Sequence, residues 1–468
     1  MLSDENKTLL ERTLFTAAPL VALLLFFIRW AVADAPQNIE SLLLAAAVLF
    51  LFALLGIRFI PVWMRAWSGA PEIDAHASDG KRSNRPQVMH PFFKIVFGLL
   101  LYRIALLVVA YLIAFERGSF TGGIFDSLSL WNPGSLDSRH YLYIAENWYA
   151  AAGDARLLIV FFPLYPLLVR MLNPIFESYL VSGMFVSNLC AVFSGYLLYE
   201  LALLDHDRYT AMRTVKYLCI LPAAILFTAP MSDSLFLLLS ILTVYFARRK
   251  RYPVAAAFGF LAAFSRLLGI LLLVPVLFEF IADIVRDKKN GASGTPYSLA
   301  CLANGLSLLL IPMGLGLYLY INYRVSGNAF QFMVYEREHW SQQLGWFFAS
   351  TATQTDFLLS ALEEGDLAQV VGLWLPNLVF ALGSLGLLAA AVKKLRASHT
   401  AYFIIYYLFG MGATWLLSAP RYLTALYPVS LALGVITDKR WADALLTVLC
   451  IAGLLIYLYA FIQRWDVY

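Results

Sequence analysis

Asp137, Arg139 and His140 put a carboxylate, a guanidinium and an imidazole into the short stretch Leu136-Asp137-Ser138-Arg139-His140-Tyr141, with Trp148, Tyr149, Phe161 and Phe162 following. A carboxylate partly withdrawn from water gains proton affinity and suits a general base. The same Asp could instead cap a helix, and His140 could be a hydrogen-bonded histidine at a membrane interface. Further along, Asp233 and Ser234 occupy a polar turn, Met231-Ser232-Asp233-Ser234, between two apolar runs. Ordinary turn chemistry needs only the serines, whereas an ionisable group there requires a partner or water. Arg266 and Arg421 stand at the ends of apolar runs. Snorkelling to lipid headgroups would explain them, and so would phosphate binding, because a guanidinium offers a planar fork to phosphate oxygens. The stretch Tyr335-Glu336-Arg337-Glu338-His339-Trp340 reads as a solvated helix or as an acceptor-binding segment.

The elements that position these residues are membrane spans. The chain is 61% hydrophobic and 14% charged, where a soluble protein would be about a quarter charged. This predicts an all-α polytopic membrane protein, because only helices satisfy their own backbone groups in lipid at this composition. Runs long enough to cross about 30 Å of hydrocarbon lie at 13–33, 41–61, 92–114, 177–204, 213–229, 231–247, 297–323, 369–395, 400–417, 422–437 and 441–463. The run 253–283 is too long for one span and reads as a hairpin turning at Ser265-Arg266, which gives about 13 spans in all. The first run lacks a small-residue cleavage site and is expected to remain as an anchor.

Placing 1–12, 62–91, 205–214, 248–252, 284–296, 393–399 and 438–441, with their flanks, in the cytoplasm collects about 22 of the 34 Lys and Arg on that side. Segment 157–176 is then not a full crossing and is expected to lie at the outer interface. The loops 115–176 and 324–368, and the turns bearing Asp233, Arg266 and Arg421, all fall on the outer face. Residues 1–65 read as a two-helix appendage, 66–91 as a cytoplasmic linker rich in Ser, Asp, Gly and Pro, and 92–468 as the main transmembrane domain.

Several signals are absent from the sequence. There is no phosphate-binding GxxxxGK[ST], no GxGxxG, no HExxH and no GxSxG. No basic tail or block points to nucleic acid. The four cysteines, Cys190, Cys219, Cys301 and Cys450, lie in apolar runs without CxxC spacing and read as buried thiols.

Five motifs in order over roughly residues 92–463 carry a resemblance. Leu136-Asp137-Ser138-Arg139-His140-Tyr141-Leu-Tyr-Ile-Ala is similar to WDxxHxxxIA, with Leu136 in place of Trp. Phe161-Phe162-Pro163-Leu164-Tyr165-Pro166 matches FFPLYP. Ser232-Asp233-Ser234-Leu-Phe236 is similar to SESLF, Arg266-Leu-Leu-Gly269 to RxxG, and Ser418-Ala-Pro420-Arg421-Tyr422 to SxPRY. In these the chain resembles the phosphatidylinositol-glycan class V type (GPI mannosyltransferase 2-like) mannosyltransferases, which are class C glycosyltransferases; residues 1–60 have no clear counterpart in that family.

The resemblance implies inverting transfer of a hexose, mannose above all, from a polyprenyl-phosphate sugar to a lipid, glycan or protein acceptor hydroxyl on the non-cytoplasmic face. Asp137 would be the base and Asp233 would orient it or a sugar hydroxyl. Arg266 and Arg421, with His140 and Arg139, would hold the donor phosphate, and Tyr141, Ser234, Tyr165 and Tyr422 would line the substrate site. Asp137 and Asp233 could share a divalent cation, but with two arginines beside the phosphate a metal is possible and not required. A prokaryotic cytoplasmic membrane with the site facing outward is expected over the endoplasmic reticulum. The alternative is a transporter or flippase of a lipid-linked or anionic substrate.

Overall fold

The computed structural model describes residues 4–34, 36, 38–69, 91–118, 120–134 and 136–467, with side chains from residue 18 onward. All regular structure among them is helical apart from one antiparallel bridge between Leu344 and Ala413. The first three helices are α1 (Asp4–Ala33), α2 (Ile39–Trp67) and α3 (Phe92–Glu116). After a long loop come α4 (Ser138–Asn147), α5 (Leu164–Phe176), α6 (Tyr179–Leu203), α7 (Arg208–Ile220), α8 (Asp233–Arg248), α9 (Tyr252–Ser265) and α10 (Leu273–Lys289). The second half holds α11 (Thr295–Ser307), α12 (Leu310–Ser326), α13 (Gln331–His339), α14 (Phe347–Glu364), the single turn α15 (Leu367–Gln369) and α16 (Leu375–Ala391). It ends with α17 (Ala397–Gly410), α18 (Ala419–Thr424), α19 (Tyr427–Ile436) and α20 (Arg440–Ile462).

Among the described residues, seven stretches are long and apolar enough to cross a bilayer: α2, α3, α6, α20 and the continuous helical runs Leu267–Lys289, Thr295–Ser326 and Leu367–Lys394. Up to nine result among the described residues if each of two bent pairs counts as one span, with only Ala18–Ala33 of α1 entering the count, against about 13 expected from the sequence. The difference arises because several apolar runs fold as short or broken helices, among them α9 and α19. One bent pair joins Asp154–Val160 to α5 at 110°, so the 157–176 region turns sharply within itself. The other joins α7 to Pro222–Thr228 at 74°. The 253–283 run does break where expected: α9 ends at Ser265 and Arg266 is extended, with φ −158° and ψ 147°.

Segment 324–368 is largely helical, comprising α13 and α14. Helix α14 packs against α2, where Asp356 Oδ1 accepts hydrogen bonds from Ser41 Oγ at 2.6 Å and Asn38 Nδ2 at 2.8 Å. Phe52 and Phe347 meet nearby at 4.8 Å. The N-terminal pair is therefore joined to the bundle through α2. Of the linker expected at 66–91, residues 70–90 lie outside the described residues.

Helix α8 ties the two ends of the bundle together. It bears Asp233 at its first residue and Arg248 at its last, roughly 22 Å apart at the helical rise. At the Arg248 end, Asp205 accepts a two-pronged bond from Arg248 at 2.5 and 2.8 Å. Glu279 receives another from Arg396 at 3.0 and 2.9 Å. Two carboxylates and two guanidiniums in a buried site neutralise each other and join α8, α10 and the start of α17. The cluster at the Asp233 end has the same composition but is open on one side.

Candidate functional site

The site is built on helix ends. Helix α4 begins after Asp137, whose carboxylate caps no backbone N–H. Its Oδ2 accepts instead from Arg421 Nη1 at 2.6 Å, while Oδ1 bonds to no described residue. The helix-capping role is thereby excluded. The side chain of Asp137 keeps 35% of its surface exposed, so one oxygen is committed and the other faces outward.

Asp233 lies beneath it. At the first turn of α8 a carboxylate is favoured by the helix dipole, and here it is 1% exposed. Arg421 Nε stands 2.9 Å from both of its oxygens, and Arg266 Nη2 is 2.8 Å from Oδ1. Arg421 therefore bridges two carboxylates from two edges of one planar group, which a lysine ammonium could not do. Arg266 also donates from Nε to Ser232 Oγ at 3.0 Å. Its guanidinium lies over the rings of Phe236, at 5.8 Å, and Tyr422, at 5.7 Å. Its Nη1 is buried without an acceptor. A buried N–H group left unpaired carries a desolvation cost of about 1–3 kcal/mol, more when charged, so this nitrogen has a hydrogen bond left to give.

The aromatic residues of the first two motifs hold this cluster in place. Tyr141, buried on α4, shares a 2.8 Å hydrogen bond with Ser232 Oγ. Its ring meets Phe161 and Tyr165 edge-on, each at 5.3 Å. Tyr165 donates to the Gly183 carbonyl at 2.8 Å and contacts Ser187 Oγ at the same distance. Phe162 stacks on Tyr318 at 3.8 Å. The Pro163 turn between Phe162 and α5 thus carries both rings into the core and fixes α4 above the Asp233 turn. Gly183 lies on the other side of that turn, where a Cβ would come within 2.7 Å of Pro230.

The placement of the candidate residues is now clear. Asp137, Asp233, Arg266 and Arg421 form one cluster, with Tyr141, Tyr165 and Tyr422 around it. Ser234 is fully buried with an unpartnered hydroxyl. His140 and Arg139 stand apart from the two arginines. His140 stacks on Phe161 at 4.9 Å, and burial pushes its pKa below the ordinary histidine value. Arg139 is exposed and turned toward His140, 3.4 Å from its Nε2. Among the described residues no group of three or more His, Cys, Asp and Glu side chains could hold a metal ion.

Three supports escaped sequence reasoning. Arg103, buried on α3, donates to Asn188 Oδ1 at 2.9 Å, the Ala224 carbonyl at 3.3 Å and Thr228 Oγ1 at 2.5 Å, bracing the chain that leads to Asp233. An arginine inside an apolar run was the available signal. Asn377 braces the Arg421 turn, accepting from the Ala419 N–H at 3.0 Å and donating to the Leu416 carbonyl at 3.2 Å. Glu336 on α13 is half-buried within electrostatic reach of Asp137. It was visible only as one charge among several in its segment.

Gly269 has a packing role that can be tested. A Cβ there would lie 2.3 Å from the carbonyl carbon and oxygen of Ala262, backbone atoms that cannot yield. The close approach is what lets the chain fold back on α9 immediately after Arg266. Gly269→Ala is expected to destabilise the protein by about 1–3 kcal/mol or more and to displace Arg266. Thermal unfolding in detergent reads the first effect and turnover the second.

No protein-family model matches the chain, and no curated protein matches it. Among solved structures it is similar to ArnT from Cupriavidus metallidurans bound to undecaprenyl phosphate, with a TM-score of 0.47 and 12% sequence identity. The alignment covers 79% of this chain and 76% of that one. The likeness is a partial one, in the course of the helices.

Proposed function

We propose that the protein is an integral-membrane, class C glycosyltransferase that moves a hexose, mannose above all, from a polyprenyl-phosphate sugar to an acceptor hydroxyl, with inversion at the anomeric carbon. The observation that carries this reading is the pairing of an exposed carboxylate oxygen on Asp137 with a buried, unpaired guanidinium nitrogen on Arg266, joined through Arg421 and Asp233. A base and an anion-binding donor are thus held side by side. Group transfer with a phosphate leaving group needs both.

In the reaction the acceptor oxygen attacks C1 of the sugar while the bond from C1 to the phosphate oxygen breaks. Asp137 Oδ1 takes the acceptor's proton, and the leaving polyprenyl phosphate gains a negative charge that Arg266 Nη1 meets as it develops. Asp233 accepts nothing from substrate, because both oxygens are engaged and buried. It positions the two guanidiniums. Tyr422, whose ring lies against Arg266, flanks the phosphate, and no divalent cation is required. A lipid-borne donor presents its head at the membrane surface. That fits a site built from helix ends, facing outward from a prokaryotic cytoplasmic membrane.

The test uses purified protein in detergent with short-chain polyprenyl-phosphate mannose, labelled in the sugar, and a membrane extract as acceptor. Label in an acceptor together with free polyprenyl phosphate is expected. No transfer with mannose or any other hexose donor would remove the proposal. Donor movement across a bilayer without bond cleavage would assign transport instead.

A further inference from the structure

We propose that Glu336 is the second carboxylate of the proton path: it receives from Asp137, through one water, the proton that Asp137 takes from the acceptor hydroxyl, and passes it to the aqueous face. This rests on the transferase reading above and adds a residue outside the five motifs.

The geometry begins with α13. Phe332, Glu336 and Trp340 are spaced by four residues and share one helix face. Phe332 is buried against Tyr318 at 5.2 Å and Phe162 at 6.4 Å, and its N–H donates to Asn322 Oδ1 at 3.2 Å. Trp340 meets the edge of Phe161 at 6.2 Å. The helix is thus pinned at both ends, onto Phe162 and onto Phe161, which also packs on His140 and Tyr141 of α4, and Glu336, between them, lies within electrostatic reach of Asp137. Its carboxylate forms no hydrogen bond or ion pair with a described residue, although the side chain is half-buried. An idle, half-buried carboxylate is costly to keep unless something transient uses it.

The two carboxylates differ in a useful way. Asp137 is bound to the Arg421 guanidinium. Glu336 has no cation, and burial together with the nearby Asp137 charge raises its pKa to about 7. Glu336 is therefore suited to hold a proton in transit near neutral pH. Few other groups bear on Glu336: beside Asp137 they are Tyr318 on α12 and Tyr422 on α18, while His140 lies on the neighbouring α4. The segment 154–160 offers Asp154 and Arg156, the latter bonded to the Gly153 carbonyl. On its own helix Arg337 pairs with Glu338 at 3.7 Å on the exposed side, and Tyr335 packs against His339. His140 titrates below its ordinary value and does not supply a limb near 7.

The sign follows directly. Glu336 accepts a proton only when charged, so turnover rises with pH through about 7. Glu336→Gln is expected to lower kcat about ten- to a hundredfold, to abolish that ascending limb, and to leave binding of the polyprenyl-phosphate donor unchanged. Glu336→Asp should restore the limb and part of the rate. Because the two carboxylates act in series, Glu336→Gln combined with Asp137→Asn should be no slower than Asp137→Asn alone. Unchanged donor binding shows that the variant is folded. The inference is overturned if Glu336→Gln turns over at the wild-type rate, or is slow but keeps the limb. If wild type transfers no hexose at all, the underlying transferase reading falls and this inference with it.

Discussion

Asp137→Asn is expected to lower turnover by about 10²- to 10⁴-fold, the usual loss when a positioned base is removed. The substitution is nearly isosteric. The amide oxygen can still accept from Arg421 Nη1, now 2.6 Å from Asp137 Oδ2, so α4 keeps its place. What changes is the outward oxygen, replaced by an amide that cannot take a proton. Removing one negative charge leaves the cluster of two arginines with Asp233 alone. Affinity for an anionic donor should therefore hold or rise while kcat collapses, and a structural defect would give the reverse. Single-turnover transfer from polyprenyl-phosphate mannose, measured beside donor binding, separates the two. A loss smaller than about tenfold would place the base elsewhere.

Arg421→Gln should produce the largest loss of stability, about 3–5 kcal/mol, the range for breaking a buried ion pair from one side. Arg421 is 5% exposed and is the only described residue bonded to both Asp137 and Asp233. Without it, Asp233 keeps only Arg266 as a cationic partner, and its second oxygen is buried without a donor. Arg421→Lys should recover part of the loss, since an ammonium supplies charge but not a fork that reaches two carboxylates. Asp233→Asn added to Arg421→Gln should recover more, because Asp137 and Arg266 then balance. Activity should stay absent in that double variant, which distinguishes stability from chemistry. Thermal unfolding in detergent checks the series; an Arg421→Gln protein as stable as wild type would mean that this cluster does not form.

The two clusters at the ends of α8 show why composition alone does not identify a site. Each pairs two acids with two arginines. Near Arg248, every carboxylate oxygen of Asp205 and Glu279 has a donor, and the result is a closed staple. Near Asp233, Asp137 keeps one oxygen free and Arg266 one nitrogen unpaired.

Much of this was legible in the chain itself. Apolar runs at this composition have no stable form in lipid other than helices, so the all-α membrane architecture followed from the sequence. The break at Arg266 was also readable, because one helix could not be that long. The number of full crossings was less legible, since a run such as 422–437 has the same composition whether it spans straight or bends into α18 and α19. Glu336 could not be singled out, because its neighbours Arg337 and Glu338 are equally charged and only packing decides which of them faces inward.

The sequence by itself determined which residue types were available and that they sit at helix ends, where polar groups in a membrane protein must gather. Only the tertiary structure decided their roles. Asp137 and Arg421 are separated by 284 positions, and no local pattern specifies that one guanidinium will bridge two carboxylates, bury one and leave the other open. That outcome depends on how α4, α8 and α18 meet, which is set by the packing of Tyr141, Tyr165 and their neighbours and not by the charges themselves.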